Sequence, residues 1–196
     1  MSDPATVHIV DDDPSFARAL GRLLTAHGFQ ARTFAAGSEL LTTVTVASRG
    51  CIVMDLEMPG LGGLELQQRL AEQRIAMPIV FLTGRGDIPS SVRAMRQGAV
   101  DFLEKHAPEA ELVAAVGRAL ASDAARSGLH SRFANLTDRE LEILRHVVRG
   151  RMNKQIAADL GIHERTVKLH RSAITTKLGV RSAAELASLA RDAGLS

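Results

Sequence analysis

The 196-residue chain predicts an α/β fold, a five-stranded doubly wound parallel sheet, followed by a small all-α module of four helices. Three observations lead there. Over the first 121 residues short apolar runs alternate with amphipathic stretches, and strands separated by helices form parallel sheets covered on both faces. After Leu120 the alternation stops in "ASDAARSGLHSRFAN", small and polar residues without periodicity. Beyond that point every periodic segment has helical spacing.

The elements follow in order. "VHIV" leads into a helix over 14–27, "QARTF" into 38–46, "CIVMD" into 63–73, "IVFLT" into 88–97, and "VDFLE" into 109–121. Pro14 suits a first helical turn, Gly28 a C-terminal stop, and Ser38 an N-cap. The unpatterned stretch reads as a linker over 122–135. "LTDREL" then carries a capping box, Thr137 at the N-cap and Glu140 three residues on, with Leu136 placed to staple onto Leu141. That fixes a helix over 137–149, with Gly150 as its stop. A short helix follows at 153–160, then a turn at Gly161, a longer helix at 164–178 and a last helix at 182–193.

Composition excludes several classes. The single cysteine, Cys51, sits in an apolar run and reads as core, so neither a disulfide framework nor a cysteine-rich zinc site is available. No apolar run reaches membrane-spanning length, and the start of the chain lacks a signal-peptide pattern, so a cytoplasmic protein without a membrane partner is expected. Charge divides unevenly: residues 1–120 hold 11 Lys and Arg against 14 Asp and Glu, net −3, whereas 121–196 hold 13 against 8, net +5. A basic C-terminal module suggests a polyanion partner.

In an open parallel sheet, functional groups gather beyond the carboxyl ends of the strands. Those ends carry Asp11 and Asp12, then Asp55, Thr83 and Lys105. Close carboxylates repel and resist desolvation unless a cation joins them, and an oxygen-rich pocket suits Mg²⁺, or another hard divalent cation, better than a thiophilic metal. Carboxylates act as phosphoryl acceptors, and a hydroxyl and an ammonium beside one would hold the new phosphoryl oxygens. Asp13, next to Pro14, reads instead as a helix cap.

The run of "IVDDD", "MDLEMPG", "FLTGRGD" and "DFLEK" resembles the receiver domain of two-component response regulators, over about residues 5–121. The resemblance implies a flavodoxin-like receiver with Asp55 as phosphoacceptor. It implies Asp11, Asp12, Asp55 and the main-chain carbonyl of Glu57 as metal ligands, and Thr83, Phe102 and Lys105 as phosphoryl-binding and switch residues. One departure stands out. The family usually carries proline after the lysine, commonly with a cis bond, and His106 stands there instead. A non-proline cis bond costs about 2.5–4 kcal/mol. The Lys105–His106 bond is therefore expected to be trans or strained, with Lys105 and the start of the last receiver helix displaced from the family's placement.

Helices 153–160 and 164–178 have the dimensions of a helix-turn-helix. On the second, Val167, His170, Ile174 and Leu178 share one face, with His170 read as packed and hydrogen-bonded. Arg165, Lys168, Leu169, Ser172 and Thr176 share another, whose basic, small polar and aliphatic side chains suit a major groove. The segment from "LTDREL" to "ELASLA" resembles the DNA-binding domain of LuxR-type transcription factors. The resemblance implies Lys168, Leu169 and Ser172 at base-facing positions. It makes Arg165, Thr166, Arg171, Asn153 and Lys154 candidates for phosphate or groove-edge contacts. The last helix, with Leu186 and Leu189, resembles the family's dimerisation helix, and packing on the module's own core accounts for its leucines equally well.

Together the modules resemble the NarL/FixJ group of response regulators: a receiver at 1–121, a linker at 122–135 and a helix-turn-helix domain at 136–196. The expected function is transcription control by a two-component system. A sensor histidine kinase phosphorylates Asp55, the receiver surface is remodelled, and a homodimer binds promoter DNA. No enzymatic role is expected beyond Mg²⁺-dependent self-phosphorylation and slow self-dephosphorylation. Two other readings stay open at this level: a metal-dependent phosphohydrolase, and a phosphorylation-independent receiver serving as a constitutive DNA-binding or protein-docking module.

Overall fold

The computed structural model describes residues 5–84 and 88–192, in two compact units, 1–124 and 125–196. In the first unit five parallel strands, β1 (Thr6–Val10), β2 (Gln30–Phe34), β3 (Gly50–Asp55), β4 (Ile79–Thr83) and β5 (Asp101–Glu104), line up as β2-β1-β3-β4-β5. This is the flavodoxin-like order, and its topological switch point lies between β1 and β3.

Side-chain alternation explains the two layers. Val7 and Ile9 of β1, Cys51 and Val53 of β3, and Val80 and Leu82 of β4 pack with α1 (Pro14–Ala26) and with Leu112, Ala115, Val116 and Ala119 of α5 (Glu109–Ala134). Their neighbours in sequence, Val10, Ile52, Met54, Ile79 and Phe81, face α2 (Gly37–Thr43), α3 (Gly63–Glu72) and α4 (Ile88–Arg96). Strands β3 and β4 are buried on both faces, which is why they read as continuous apolar runs.

Local chemistry agrees at most ends. Asp13 caps α1, its Oδ1 accepting the Ser15 and Phe16 N–H groups at 2.8 and 3.2 Å, with Pro14 opening the helix. Those bonds hold the Asp13 carboxyl below its ordinary range. Ser38 does not cap α2. The N-cap is Ala36, and Glu39 instead reaches back to the Ala35 N–H at 3.2 Å. The largest departure is α5, which runs on through the expected linker to Ala134. Asp123, 3% exposed, holds it there by accepting from Arg49 Nε at 2.9 Å and from the Gly50 N–H at 3.0 Å.

The second unit adds α6 (Asp138–Val148), α7 (Asn153–Leu160), α8 (Glu164–Leu178) and α9 (Ala183–Asp192). The Thr137–Glu140 capping box forms as expected. Phe133, Leu136, Ile143, Leu144, Ile156, Val167, Ile174, Leu178 and Leu186 make its core. Leu186 is 1% exposed and Leu189 packs against the same cluster, so α9 spends these leucines on its own domain. No helix among the described residues is long and apolar enough to cross a membrane. Residues 85–87, part of the "FLTGRGD" run, lie outside the described residues.

Candidate functional site

Asp11 and Asp12 follow β1, and Asp55 ends β3, so the switch point brings them together. The three carboxylates offer oxygens all within 4.8 Å of one another. Asp11 and Asp55 are 2% and 6% exposed, whereas Asp12 is open to solvent. Gly63 makes room behind them, because a Cβ there would run into the Asp55 carbonyl and press on the Phe81 ring at 2.9 Å.

Lys105 lies where the sequence placed it. Its Nζ is 2.6 Å from Asp11 Oδ2 and 2.8 Å from Asp55 Oδ2. The described peptide bonds include no cis bond, so Lys105–His106 is trans, and with that trans bond Lys105 still reaches both carboxylates. The other oxygens are also held: the Asp13 N–H donates to Asp11 Oδ1 at 2.9 Å, and the Glu57 N–H to Asp55 Oδ1 at 3.2 Å. Sequence reasoning missed Phe16, whose ring lies 4.5 Å beneath the ammonium. Its place in the first turn of α1, just after the acidic pair, was the available signal.

The charge balance is uneven. Burial pushes the Asp11 carboxyl up, the contacts from Lys105 and the Asp13 N–H oppose that, and the Asp55 charge adds to it. For Lys105, burial works to lower the pKa, but hydrogen bonds and attraction from Asp11 and Asp55 outweigh it and the net shift is upward. Both directions agree with one ammonium among three carboxylates, a pocket with negative charge in excess. Oxygen donors, no sulfur or imidazole in the cluster, and one carboxylate facing water fit a hard divalent cation such as Mg²⁺, which keeps several waters.

Thr83 ends β4 fully buried, with its carbonyl accepting the Lys105 N–H at 2.8 Å. Phe102 on β5 is half-buried, its ring 6.1 Å from that of Phe81. Of the two residues expected to act as a switch, Phe102 is the less enclosed.

In the second unit, Gly161 takes the left-handed conformation (φ 63°) that the turn between α7 and α8 needs. On α8, Arg165, Lys168, Leu169, Ser172 and Thr176 are exposed, while Val167, Ile174 and Leu178 are fully buried. Leu169 is 65% exposed, a large apolar side chain set among polar ones. Lys168 pairs with Glu164 at 3.2 Å in an exposed contact that yields easily to a stronger anion. Lys154 is exposed and Thr166 half-buried. Arg171 and Asn153 are engaged with each other, Nη1 donating to Oδ1 at 2.7 Å, which ties α8 to α7. His170 departs from expectation: it is half-buried and its side chain makes no hydrogen bond to a described residue.

Comparison with known proteins matches both units. Residues 7–117 match the response regulator receiver domain, and residues 134–190 match the luxR family of bacterial regulatory proteins. Nodulation protein W of Bradyrhizobium diazoefficiens is 40% identical over 100% of this chain and 89% of its own length. The transcriptional regulatory protein FixJ of Azorhizobium caulinodans is 39% identical over 100% and 96%. Among solved structures, the response regulator StyR is 44% identical with a TM-score of 0.61, covering 95% of this chain and 98% of StyR. Full-length FixJ from B. japonicum is 36% identical with a TM-score of 0.55, covering 98% of each chain.

Proposed function

The chain belongs to the two-component response regulators of the NarL/FixJ type, transcriptional regulators that join a receiver to a LuxR-type DNA-binding domain, and from that premise we propose that Asp55 is the residue through which it is switched. The observation that carries this is the seat of Asp55. It is buried at the switch point, with one oxygen on Lys105 Nζ and the other on the Glu57 N–H, inside a cluster of carboxylates.

Receiver domains take Mg²⁺ at such an acidic pocket, and here Asp11, Asp12, Asp55 and the Glu57 carbonyl would hold it. When bound, the cation supplies positive charge that offsets the repulsion between the carboxylates and an incoming phosphoryl group. An Asp55 carboxylate oxygen forms the bond to phosphorus as the bond from phosphorus to the kinase histidine nitrogen breaks. Lys105, already between Asp11 and Asp55, transfers its contact to the new phosphoryl oxygens, and the Thr83 hydroxyl hydrogen-bonds them. Phe102 then turns inward, reshaping the surface of α4 and β5, a local charge event read out by a two-state element. We propose that this surface pairs two copies.

On the output side, Lys168, Leu169 and Ser172 face bases, while Arg165, Thr166 and Lys154 meet phosphates or the groove edge. Arg171 and Asn153 join them through their mutual bond. Two copies of α8 would occupy half-sites about one helical turn, roughly 34–36 Å, apart or a multiple of it. The receiver occupies 1–121 and the DNA-binding domain 136–196, joined by a linker over 122–135 that is helical as far as Ala134. A DNA target places the protein in the cytoplasm, and its chemistry is confined to gaining and slowly losing its own phosphoryl group.

Incubation with Mg²⁺ and acetyl phosphate is expected to add one phosphoryl mass, absent in Asp55→Asn, and to tighten DNA binding. Intact mass spectrometry and a DNA titration check this. No mass gain would favour a constitutive, phosphorylation-independent module, and repeated turnover of unrelated phosphate esters would favour a hydrolase.

A further inference from the structure

Both helices of the helix-turn-helix end on carbonyls that an arginine meets, and both arginines come from one short segment ahead of the pair. Arg132 donates through Nη2 to the carbonyl of Leu178, the last residue of α8. Arg139 donates through Nη2 to the carbonyl of Leu160, the last residue of α7, at 3.1 Å. The segment between them is anchored independently. Phe133 and Leu136 are buried in the same core as Ile174 and Leu178. Glu140, 5% exposed, closes the Thr137 capping box and also takes Lys177 Nζ, from the last turn of α8, at 2.7 Å.

The last carbonyls of a helix lack intrahelical partners and carry the negative end of its dipole. A guanidinium answers both needs and, being planar with donors in a fixed fork, also fixes direction. Two such contacts from one anchored segment hold α7 and α8 at the ends remote from their N-terminal turns. A helix gripped at one end and packed along one face has little freedom to tilt in a groove.

We propose that Arg132 and Arg139 are positioning residues for DNA recognition. They form a two-arginine frame that sets the angle at which α8 presents Lys168 and Leu169, and they do not touch DNA. In a basic DNA-binding module any arginine reads by default as a phosphate contact, and the geometry separates these two from that pool. Both are half-buried with Nη2 on a helix carbonyl, and Arg139 Nη1 is also paired with Glu142 at 2.5 Å, whereas Lys154 and Arg165 are exposed.

The inference rests on the DNA-binding reading, and the test separates them. Full-length protein treated with Mg²⁺ and acetyl phosphate is used to select a duplex from a random-sequence pool. Affinity for that duplex and for a scrambled one is then measured from about 50 to 200 mM salt. Arg132→Gln and Arg139→Gln should each reduce the ratio of scrambled to selected dissociation constants by about tenfold, the scale of one misplaced base contact, with the salt slope unchanged. Lys154→Ala, by contrast, should lower the slope by about 1 and keep the ratio. A slope reduced by about 1 in the arginine variants would make them phosphate contacts and overturn the frame. An unchanged ratio and slope with only a lower thermal midpoint would overturn it too, leaving simple helix caps. If a glutamine variant lacks the wild-type circular dichroism spectrum, Arg132→Lys and Arg139→Lys, which keep the charge but not the fork, are judged by the same two quantities. Wild-type protein that retains no duplex would refute the DNA-binding reading itself, and the frame with it.

Discussion

Removing Lys105 tests the electrostatic account of the pocket most directly. In Lys105→Ala, Asp11 and Asp55, 2% and 6% exposed, lose the cation that stood 2.6 and 2.8 Å away. Each charge-assisted hydrogen bond contributes about 1.5–3 kcal/mol, and removing one partner of a buried ion pair costs about 3–5 kcal/mol. With its side chain 21% exposed, Lys105 is only modestly screened by solvent, so a loss of about 3–5 kcal/mol in metal-free buffer is expected. Hydrogen exchange of the β1 and β3 amides reads this opening without requiring the two domains to unfold together. Mg²⁺ should recover part of the loss, about 2.7 kcal/mol at a hundredfold excess over its dissociation constant, because it restores positive charge to the same oxygens. The sign with pH follows from Asp11. Its folded pKa is raised, so its contribution is present at low pH and is lost as pH rises through the folded value. Without Lys105 the contacts that opposed the rise are gone and the folded state takes up protons more readily, so the deficit shrinks from one assay pH to a second, more acidic one. A deficit equal with and without Mg²⁺ and at both pH values would refute the account, leaving the stem of Lys105 packed on Phe16 as the source of stability.

Three further outcomes follow from single residues. His8, 7% exposed, is held below its ordinary pKa by burial and then by the Arg32 charge, so stability should fall as pH drops below about 6.5, by up to about 1.4 kcal/mol per unit. His8→Leu should flatten that acid limb in urea titrations, and an unchanged slope would assign it to another group. Met152 has N-cap geometry for α7 without a side-chain acceptor, so Met152→Ser should stabilise the second unit by about 1 kcal/mol, read as a higher thermal midpoint. Lys168→Ala should cost about 1–3 kcal/mol on the selected duplex and little on a scrambled one, whereas an equal loss on both would make it a phosphate contact.

What the sequence disclosed, and what it hid, follow from the range of the forces involved. The receiver strands were legible because β3 and β4 are buried on both faces, and their carboxyl ends then located Asp11, Asp12, Asp55, Thr83 and Lys105 without knowledge of any contact. The continuation of α5 was hidden by one polar residue. Leu112, Ala115, Val116 and Ala119 form its inward stripe, and the next position on that stripe is Asp123, which reads as the stripe ending. It is satisfied by Arg49 and Gly50, more than seventy residues away, so nothing local marks it as buried. Phe16 beneath Lys105 and Arg171 on Asn153 were hidden for the same reason, since each pair meets only after separate elements have packed.

The replacement of proline by His106 shows what does place the lysine. The β4–β5 ladder pairs Thr83 with Glu104, and the Lys105 N–H extends it by donating to the Thr83 carbonyl at 2.8 Å. The chain then turns, the Ala107 N–H donating to the Glu104 carbonyl at 2.9 Å. By that point the backbone of Lys105 is already fixed from its N-terminal side. Its side chain needs only to lean toward two buried carboxylates with the Phe16 ring beneath it. His106, its side chain 76% exposed and paired with Glu104 at 2.7 Å, stands outside both constraints. The lysine is thus positioned by strand register and charge. Residue 106 shapes the turn that leads into α5, which leaves the pocket free to tolerate the substitution.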